Sequence, residues 1–326
     1  MAAFLLLTVG LSQSKNFTLR DDLAGQDFFD AFYWWDYRDP TGGYVDYVSQ
    51  SQSRSQNLSY VDEAGRFVLR ADSTNVVLEG RQGRASNRLH SRRKMGDGIL
   101  VAKFSRMPVG CGTWPAFWTC TTESWPKGGE IDIIEGANDQ GPLNLASLHT
   151  LNGCTIPNGT SEMDTSTSYQ ADCAYQPGCS KRFSLTDSFG QDFNSNSGGW
   201  YALVRDTRGE YAKGISIYFW PSDTPPSSLP RAVTSSKGQA PDYVVTDSNA
   251  TGQDAIELEK WGTPAVLFPN GNSTGRGASC LMEEYFDDHE IIINLTFCGY
   301  WAGETFSSSG CSLLHSNSTC EDFVRS

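Results

Sequence analysis

Basic side chains are scarce in this 326-residue chain, which has 25 Lys and Arg residues against 38 Asp and Glu. The formal net charge is −13, and a surface of that sign repels phosphate groups. The composition therefore argues against nucleic acid as a partner. It is compatible with an uncharged substrate, although acidity can also serve solubility alone.

Long apolar runs are also lacking. No segment after residue 14 approaches the roughly 20 apolar residues of a membrane-spanning helix, so we expect no membrane span. Residues 1–14 resemble the apolar core of a signal peptide, without the basic residues that normally precede it. We therefore interpret 1–14 as a signal-peptide remnant and 15–326 as a single domain.

The nine cysteines lack the spacings of a metal site. No two of them form a C-x-x-C pair and none clusters with histidine, so zinc is not expected. No loop of oxygen ligands indicates calcium, and we predict neither a metal nor a cofactor. Disulfide bonds explain the cysteines better, and they imply an oxidising compartment. Because nine is odd, at least one thiol is unpaired, and the sequence leaves the pairing open.

Seven N-x-S/T sequons agree with the cysteines in predicting a secreted, extracellular glycoprotein. Chance alone also produces sequons in a chain rich in Asn, Ser and Thr, so the two signals count together. The sequon asparagines are Asn16, Asn57, Asn158, Asn249, Asn272, Asn294 and Asn317.

Short runs rich in Val, Ile, Phe and Tyr recur between turn residues, which is typical of β-strands. No long segment has convincing 3.6-residue periodicity, although a short helix fits within 27–37. Many strands without βαβ alternation predict an all-β sandwich or jelly roll. The Ser-rich stretch 47–59 and the Pro-rich stretch 221–256 read as surface loops. The predicted strand runs are 66–71, 99–106, 130–136, 145–150, 200–206, 214–220 and 290–297.

The segment GGEIDIIEG at 128–136 carries three carboxylates on one predicted strand. Side chains alternate faces along a strand, so Glu130 and Asp132 share one face and the intervening isoleucines point to the core. Regular pleating would put Glu135 on the core face, where an unpaired carboxylate is costly. A β-bulge at the two adjacent isoleucines would return Glu135 to the face of the other two.

Three like charges in a row destabilise a strand unless a function needs them. Retaining glycosidases use two carboxyl groups about 5–5.5 Å apart, one as nucleophile and one as acid/base. The alternative interpretation is an exposed acidic strand with solvated side chains.

The pattern E-I-D-I-I-E resembles the signature of glycoside hydrolase family 16, in the spacing of its fungal laminarinase branch of endo-1,3(4)-β-glucanases. The resemblance implies that Glu130 is the nucleophile, Asp132 its assistant and Glu135 the general acid/base. It also implies a concanavalin A-like β-jelly roll with a sugar-binding cleft on its concave face. The resemblance extends over most of the chain, through the segments 17–22, 110–118, 124–130, 135–140 and 293–303.

The same resemblance assigns the walls of the cleft. A sugar ring needs aromatic faces for its C–H groups and polar partners for its hydroxyls. Each of these residues has a plain alternative, because a single Trp is usually core, a strand His is usually structural and a surface Arg is usually solvated. The residues that the resemblance implies for substrate binding are Trp114, Trp118, Trp125, His149, Trp261, Arg84 and Arg88.

The family resemblance also bears on the cysteines and on the end of the chain. Eight cysteines match those of related laminarinases, which leaves Cys120 as the expected free thiol and a small buried hydrophobe. The family usually continues into a final strand past its last cysteines, so we expect that strand to be missing here. The matching cysteines are Cys111, Cys154, Cys173, Cys179, Cys280, Cys298, Cys311 and Cys320.

These features predict a monomeric, secreted endo-β-glucanase that hydrolyses β-1,3-glucan polymers or oligosaccharides with retention of configuration. Mixed 1,3/1,4 and 1,3/1,6 linkages are alternatives within that substrate class. A cell-wall transglycosylase would use the same residues with a sugar acceptor in place of water. A non-catalytic β-glucan lectin is disfavoured, because family lectins typically lose catalytic carboxylates and all three are present here.

Overall fold

Short strands dominate the fold, as their β-branched and aromatic residues predict. The computed structural model describes residues 17–157, 163–225, 243–247, 256, 258–272, 279–314 and 318–326. The signal-peptide prediction for 1–14 lies outside these residues. The strands are β1 (Thr18–Leu23), β2 (Phe32–Trp34), β3 (Val45–Tyr47), β4 (Ser59–Val61), β5 (Phe67–Leu69), β6 (Arg84–Ser86), β7 (Arg88–Ser91), β8 (Gly98–Phe104), β9 (Thr113–Cys120), β10 (Glu130–Glu135), β11 (Leu145–His149), β12 (Thr167–Gln170), β13 (Cys179–Arg182), β14 (Gly199–Arg205), β15 (Gly214–Pro221), β16 (Tyr243–Asp247), β17 (Val266–Pro269), β18 (Gly271–Asn272), β19 (Ser279–Cys280) and β20 (Glu290–Phe297).

Helices are few and short. None that the described residues form is long and apolar enough to cross a membrane. The helices are α1 (Asp27–Ala31), α2 (Gln50–Ser55), α3 (Gly190–Ser195), α4 (Cys311–Leu314) and α5 (Cys320–Arg325), with 3-10 turns at Leu258–Trp261 and Met282–Glu284 and a π-helical turn at Gly299–Gly303.

Two antiparallel sheets form the body of the molecule. One has six strands in the order β1-β16-β8-β14-β15-β17, and the other has eight in the order β12-β13-β11-β10-β9-β20-β7-β2. This arrangement is the β-jelly-roll sandwich that the sequence predicted. Because β10 lies near the middle of the larger sheet, strands flank it on both sides and hold its register.

Alternation along the strands divides the side chains between a core and two outer faces. Ile131 and Phe117 of the larger sheet pack with Leu203 and Ile217 of the smaller one in the main hydrophobic cluster between the sheets. The outer face of the six-stranded sheet has its own aromatic cluster around Trp200. The outer face of the eight-stranded sheet instead carries polar and aromatic side chains, among them Trp118, Asp132 and Glu290, and we call it the cleft face.

All seven predicted strand runs are strands, and the helix expected within 27–37 is α1. Two loop predictions were wrong. The stretch 47–59 contains α2, which begins with a capping box formed by Ser49 and Gln52. The stretch 221–256 contains β16, which pairs with β1 and β8 in the smaller sheet.

Four disulfides join the eight cysteines that match the family, and Cys120 is free and buried, as predicted. Two of the bridges tie the C-terminal segment to the body of the protein and so fix the chain around the π-helical turn at Gly299–Gly303. The pairs are Cys111–Cys311, Cys154–Cys280, Cys173–Cys179 and Cys298–Cys320.

Candidate active site

A β-bulge in β10 brings the three carboxylates together. The register of β10 shifts between Asp132 and Glu135 against β11, and between Asp132 and Ile134 against β9. Ile133 and Ile134 are both buried in the main core, as an extra residue on the core side requires. The predicted bulge and its position are confirmed.

The pairing with β9 shows that the carboxylates share a face. Directly opposed residues of antiparallel strands point the same way. Glu130 lies opposite Cys120, Asp132 opposite Trp118, and Glu135 opposite Ala116. These three partners are alternate residues of one strand, so their side chains all point to the cleft face.

His149 of β11 lies among the carboxylates. It is directly opposite Glu130 in the register, and its Nε2 is 3.1 Å from Asp132 Oδ2 and 3.9 Å from Glu130 Oε1. Its Nδ1 donates to the Tyr175 carbonyl at 2.8 Å. Burial opposes the charged imidazolium, but the two carboxylates and the Tyr175 carbonyl outweigh it and raise the pKa of His149 to about 10. The side chain is therefore a cation within an acidic cluster.

Both glutamates are held by tryptophan indoles. Trp125 Nε1 donates to Glu130 Oε2 at 2.5 Å, and Trp114 Nε1 donates to Glu135 Oε1 at 2.9 Å. Burial, and then the charge of Asp132, raise the pKa of Glu130 to about 8 and that of Glu135 well above its usual value. Such carboxyl groups retain a proton near neutral pH, which is what general acid catalysis requires.

Three of the predicted aromatic residues line this face. Trp114 and Trp118 are half-buried on β9, and Trp125 is 40% exposed on the loop before β10. Trp118 Nε1 donates to Asn294 Oδ1 of β20 at 2.7 Å. Trp114 meets Trp301 of the C-terminal segment edge to face, at 5.5 Å between ring centroids. The indole faces thus have fixed orientations beside the carboxylates.

Arg88 also lies on the cleft face. Its guanidinium carbon is 4.3 Å from the ring centroid of Trp35 and 5.1 Å from that of Trp118. Its Nε donates to His90 at 2.9 Å, and His90 contacts Glu290 of β20 at 2.8 Å.

Two predicted cleft residues lie elsewhere, and those predictions were wrong. Arg84 is buried, and its guanidinium donates to the backbone carbonyls of Asp72, Asn75 and Val324, so it anchors the C-terminal helix. Trp261 is buried in the cluster on the outer face of the six-stranded sheet, where its ring packs edge to face against Tyr218 and Trp220. The core separates it from the cleft face.

Several cleft residues were not singled out from the sequence. Glu290 and Asn294 stand among the isoleucines of β20, and His90 follows Arg88 by two positions on β7. Even spacing on a strand otherwise made of apolar residues was the available signal, because it places polar groups on one face. Trp35 and Trp301 gave no such signal, since their positions depend on loops.

Among the described residues, the acidic cluster also has the side-chain types and spacing that could bind a metal ion. One ligand atom each from Glu130, Asp132 and His149 lies within 4.8 Å of the others. In the protonated state that the two carboxylates favour, His149 offers no lone pair to a metal, and the cluster suits proton transfer.

Cys120 lies in the floor of this site, between two acids. Glu130 of β10 and Glu290 of β20 are its direct partners on either side, so its side chain points to the cleft face. Burial raises the pKa of this thiol well above its usual value, and the charge of Glu130 adds to the effect. The thiol is therefore protonated and acts as a small apolar spacer.

Comparison with known proteins points to one family. The family model described as XgeA-like, catalytic GH16 domain matches residues 32–326. A probable glycosidase of Schizosaccharomyces pombe is 33% identical over 96% of the chain, and an endo-1,3(4)-beta-glucanase of Arthroderma benhamiae is 34% identical over 98%. The chain spans 65% and 64% of the lengths of these two relatives.

Solved structures agree over the whole fold. Laminarinase 16A from Phanerochaete chrysosporium, with 6-O-glucosyl-laminaritriose in donor and acceptor sites, is 35% identical with a TM-score of 0.78, over 95% of this chain and 93% of that one. An elongating family 16 beta-1,3-glucosyltransferase is 33% identical with a TM-score of 0.77, over 95% of this chain and 94% of the other. With the carboxylate strand and the matched span, these likenesses establish that the chain belongs to glycoside hydrolase family 16, in its XgeA-like group of catalytic domains.

Proposed function

We propose that this protein is a retaining endo-β-glucanase that hydrolyses β-1,3-glucan by double displacement. The observation that carries the proposal is the bulged strand β10, which presents Glu130, Asp132 and Glu135 on one face. A retaining mechanism needs a nucleophile and an acid/base that flank the glycosidic bond about 5–5.5 Å apart. The family membership and the named activities of the relatives support the same reaction.

Glu135 takes the acid/base role in this proposal. Its raised pKa keeps a proton available for the departing glycosidic oxygen, and the bond from Trp114 fixes Oε1. Once the leaving group has gone, the same carboxylate removes a proton from the water that hydrolyses the glycosyl-enzyme.

Glu130 is the nucleophile that attacks the anomeric carbon. It must be ionised to do so, although burial and Asp132 both oppose its charge. The cation of His149 and the hydrogen bond from Trp125 favour the ionised form. Asp132 assists Glu130 indirectly, because its contact with the same imidazole helps to keep His149 protonated.

The substrate class follows from the walls. Trp114, Trp118 and Trp125 offer aromatic surface beside the carboxylates, which suits the C–H faces of glucose rings. The laminarinase with 33–35% identity binds β-glucan oligosaccharides and a branched 6-O-glucosyl unit, which supports β-1,3-glucan with 1,6-linked branches as a substrate. Mixed 1,3/1,4-glucan remains an alternative.

A transglycosylase is the second candidate, favoured by the 33% identity to an elongating glucosyltransferase. It would use the same three carboxylates, with a sugar hydroxyl in place of water. A lectin function is disfavoured because the complete acid set is present and assembled. The four disulfides support a secreted, extracellular location. The expected monomer stays a prediction, which light scattering checks.

The test is an assay of purified protein on laminarin, lichenan and a 1,6-branched β-glucan. A hydrolase releases reducing ends and shortens laminari-oligosaccharides, whereas a transglycosylase also makes products longer than the starting sugar. A lectin binds laminarin without releasing reducing ends. The control is Glu130→Ala, which should bind laminarin without releasing reducing ends.

A further inference from the structure

The guanidinium of Arg88 is fixed by contacts on three sides. The rings of Trp35 and Trp118 lie 4.3 and 5.1 Å from its central carbon, and its Nε donates to His90 Nε2 at 2.9 Å. Among the residues that the structure describes, its two terminal nitrogens have no protein hydrogen-bond partner. Arg88 is 7% exposed, and an arginine held in this way offers two coplanar donor nitrogens to a ligand on the cleft face.

The contact with Arg88 determines the tautomer of His90. Arginine only donates, so His90 Nε2 must accept and its proton must be on Nδ1. That proton points to Glu290 Oε2, 2.8 Å away. His90 is fully buried, and burial is the main reason that its pKa is lowered, with the charge of Arg88 acting in the same direction. The His90 imidazole is therefore neutral, with its proton on Nδ1.

Glu290 completes the arrangement. Its Oε2 accepts from His90 and from Tyr33, whose hydroxyl is 3.1 Å away. Burial would raise the pKa of this carboxyl, but the hydrogen bonds from His90 and Tyr33 lower it. The ionised oxygen accepts both protons, so Tyr33, Glu290, His90 and Arg88 form one chain of hydrogen bonds with a single donor direction at each step.

We infer that Glu290 and His90 are positioning residues that orient Arg88 to bind hydroxyl groups of a glucan ring remote from the cleaved bond. The inference rests on the proposed function. The sheet register gives the distance, because Arg88 lies opposite Asn294 of β20, which lies opposite Ala116 of β9, which lies opposite Glu135. Three strand spacings of about 4.8 Å separate the backbones of Arg88 and Glu135, or roughly 14 Å. A side chain at that distance affects binding of a neighbouring ring more than bond cleavage.

The test compares two substitutions of His90. In His90→Gln, the carbonyl can accept from Arg88 while the amide donates to Glu290, which preserves the chain of hydrogen bonds. In His90→Leu, a side chain of similar size removes both bonds. The assay measures KM and kcat on laminarihexaose, Kd for the same sugar by calorimetry, and kcat/KM on a short aryl laminaribioside.

For His90→Leu we expect KM and Kd for laminarihexaose to rise about tenfold, the scale of one lost hydrogen bond to a charged group. The kcat should stay within about twofold, and the short substrate should be unaffected, because binding to a remote ring is lost. His90→Gln should keep KM within about threefold of the wild type on the same reasoning. Equal losses in both variants, or an unchanged KM and Kd in His90→Leu, would overturn the inference.

A second pair of variants, at Glu290, tests the inference without a substitution at the fully buried His90. Glu290 is only partly buried, so Glu290→Leu and Glu290→Gln test the same chain with less risk to folding. The leucine leaves His90 free to change tautomer and should raise KM and Kd severalfold, while the glutamine keeps an acceptor and should raise them less. Equal values for the pair would contradict the inference. If the wild type binds laminarihexaose and does not cleave it, the proposed function fails while the Kd series still tests the role of His90.

Discussion

Replacing His149 should move the acidic limb of the pH–activity profile to higher pH. Its imidazolium faces Asp132 and Glu130, 3.1 and 3.9 Å from Nε2. Removing that cation leaves Glu130 harder to ionise, so the nucleophile gives up its proton only at a higher pH. The fall of kcat/KM at low pH follows the ionisation of that coupled group.

The size of the shift in the acidic limb follows from the raised pKa of His149. A rise in the pKa of His149 from 6.5 to about 10 corresponds to roughly 5 kcal/mol of net favourable interaction of the imidazolium, at about 1.4 kcal/mol per unit. Two carboxylates and the Tyr175 carbonyl share that interaction, and water entering the vacated space replaces part of it. We therefore expect the acidic limb to rise by about 1–2 pH units in His149→Gln.

The assay is kcat/KM on laminarin from pH 3 to 9 at constant ionic strength, for the wild type, His149→Gln and His149→Lys. The lysine variant keeps a cation near the acids, so its acidic limb should lie close to the pH of the wild-type limb. An acidic limb at the same pH in the wild type and His149→Gln would refute the electrostatic role of His149.

Three further outcomes test other parts of the structure. With azide, Glu130→Ala should give an inverted product and Glu135→Ala a retained one from aryl glycosides, and NMR showing the reverse would exchange the two assigned roles. Cys120 should resist iodoacetamide in the folded protein and react after unfolding, because its thiol is buried and protonated, and mass spectrometry showing rapid native labelling would contradict this. Trp261→Ala should lower the free energy of unfolding by about 3–5 kcal/mol with KM for laminarin unchanged, while a raised KM without a loss of stability would return this residue to the cleft.

The sequence predicted the carboxylate strand well because pleat alternation is a local rule. Glu130 and Asp132 had to share a face, and the cost of burying Glu135 required an extra residue beside it. The registers with both neighbouring strands bear out that reasoning. A strong local pattern also predicted seven strands, whose apolar residues needed a core on one side.

Tertiary position could not be predicted in the same way. Trp261 and Trp118 are both aromatic residues with family counterparts, yet they lie on opposite outer faces of the sandwich. Arg84 and Arg88 are four residues apart and have different surroundings, because Arg84 donates to the Val324 carbonyl of the C-terminal helix. Nothing local to either residue specifies which distant segment will cover it.

The helix α2 was missed for a different reason. A Ser-rich stretch has low hydrophobicity and favours a loop by composition, but Ser49 and Gln52 stand at the spacing of a capping box. The signal was present in the sequence, and composition outweighed it.

The hydrogen bonds of Asn294 have a consequence for how this protein is made. This residue begins an Asn-Leu-Thr sequon, yet its amide accepts from Trp118 and donates to the Tyr47 hydroxyl at 3.2 Å, on a strand in the middle of the sheet. An attached glycan would replace one of the two amide hydrogens and would stand beside the Trp118 indole, which is bonded to the oxygen of the same amide. In a host that glycosylates nascent chains, folding of β20 and sugar transfer to Asn294 therefore compete for the same amide.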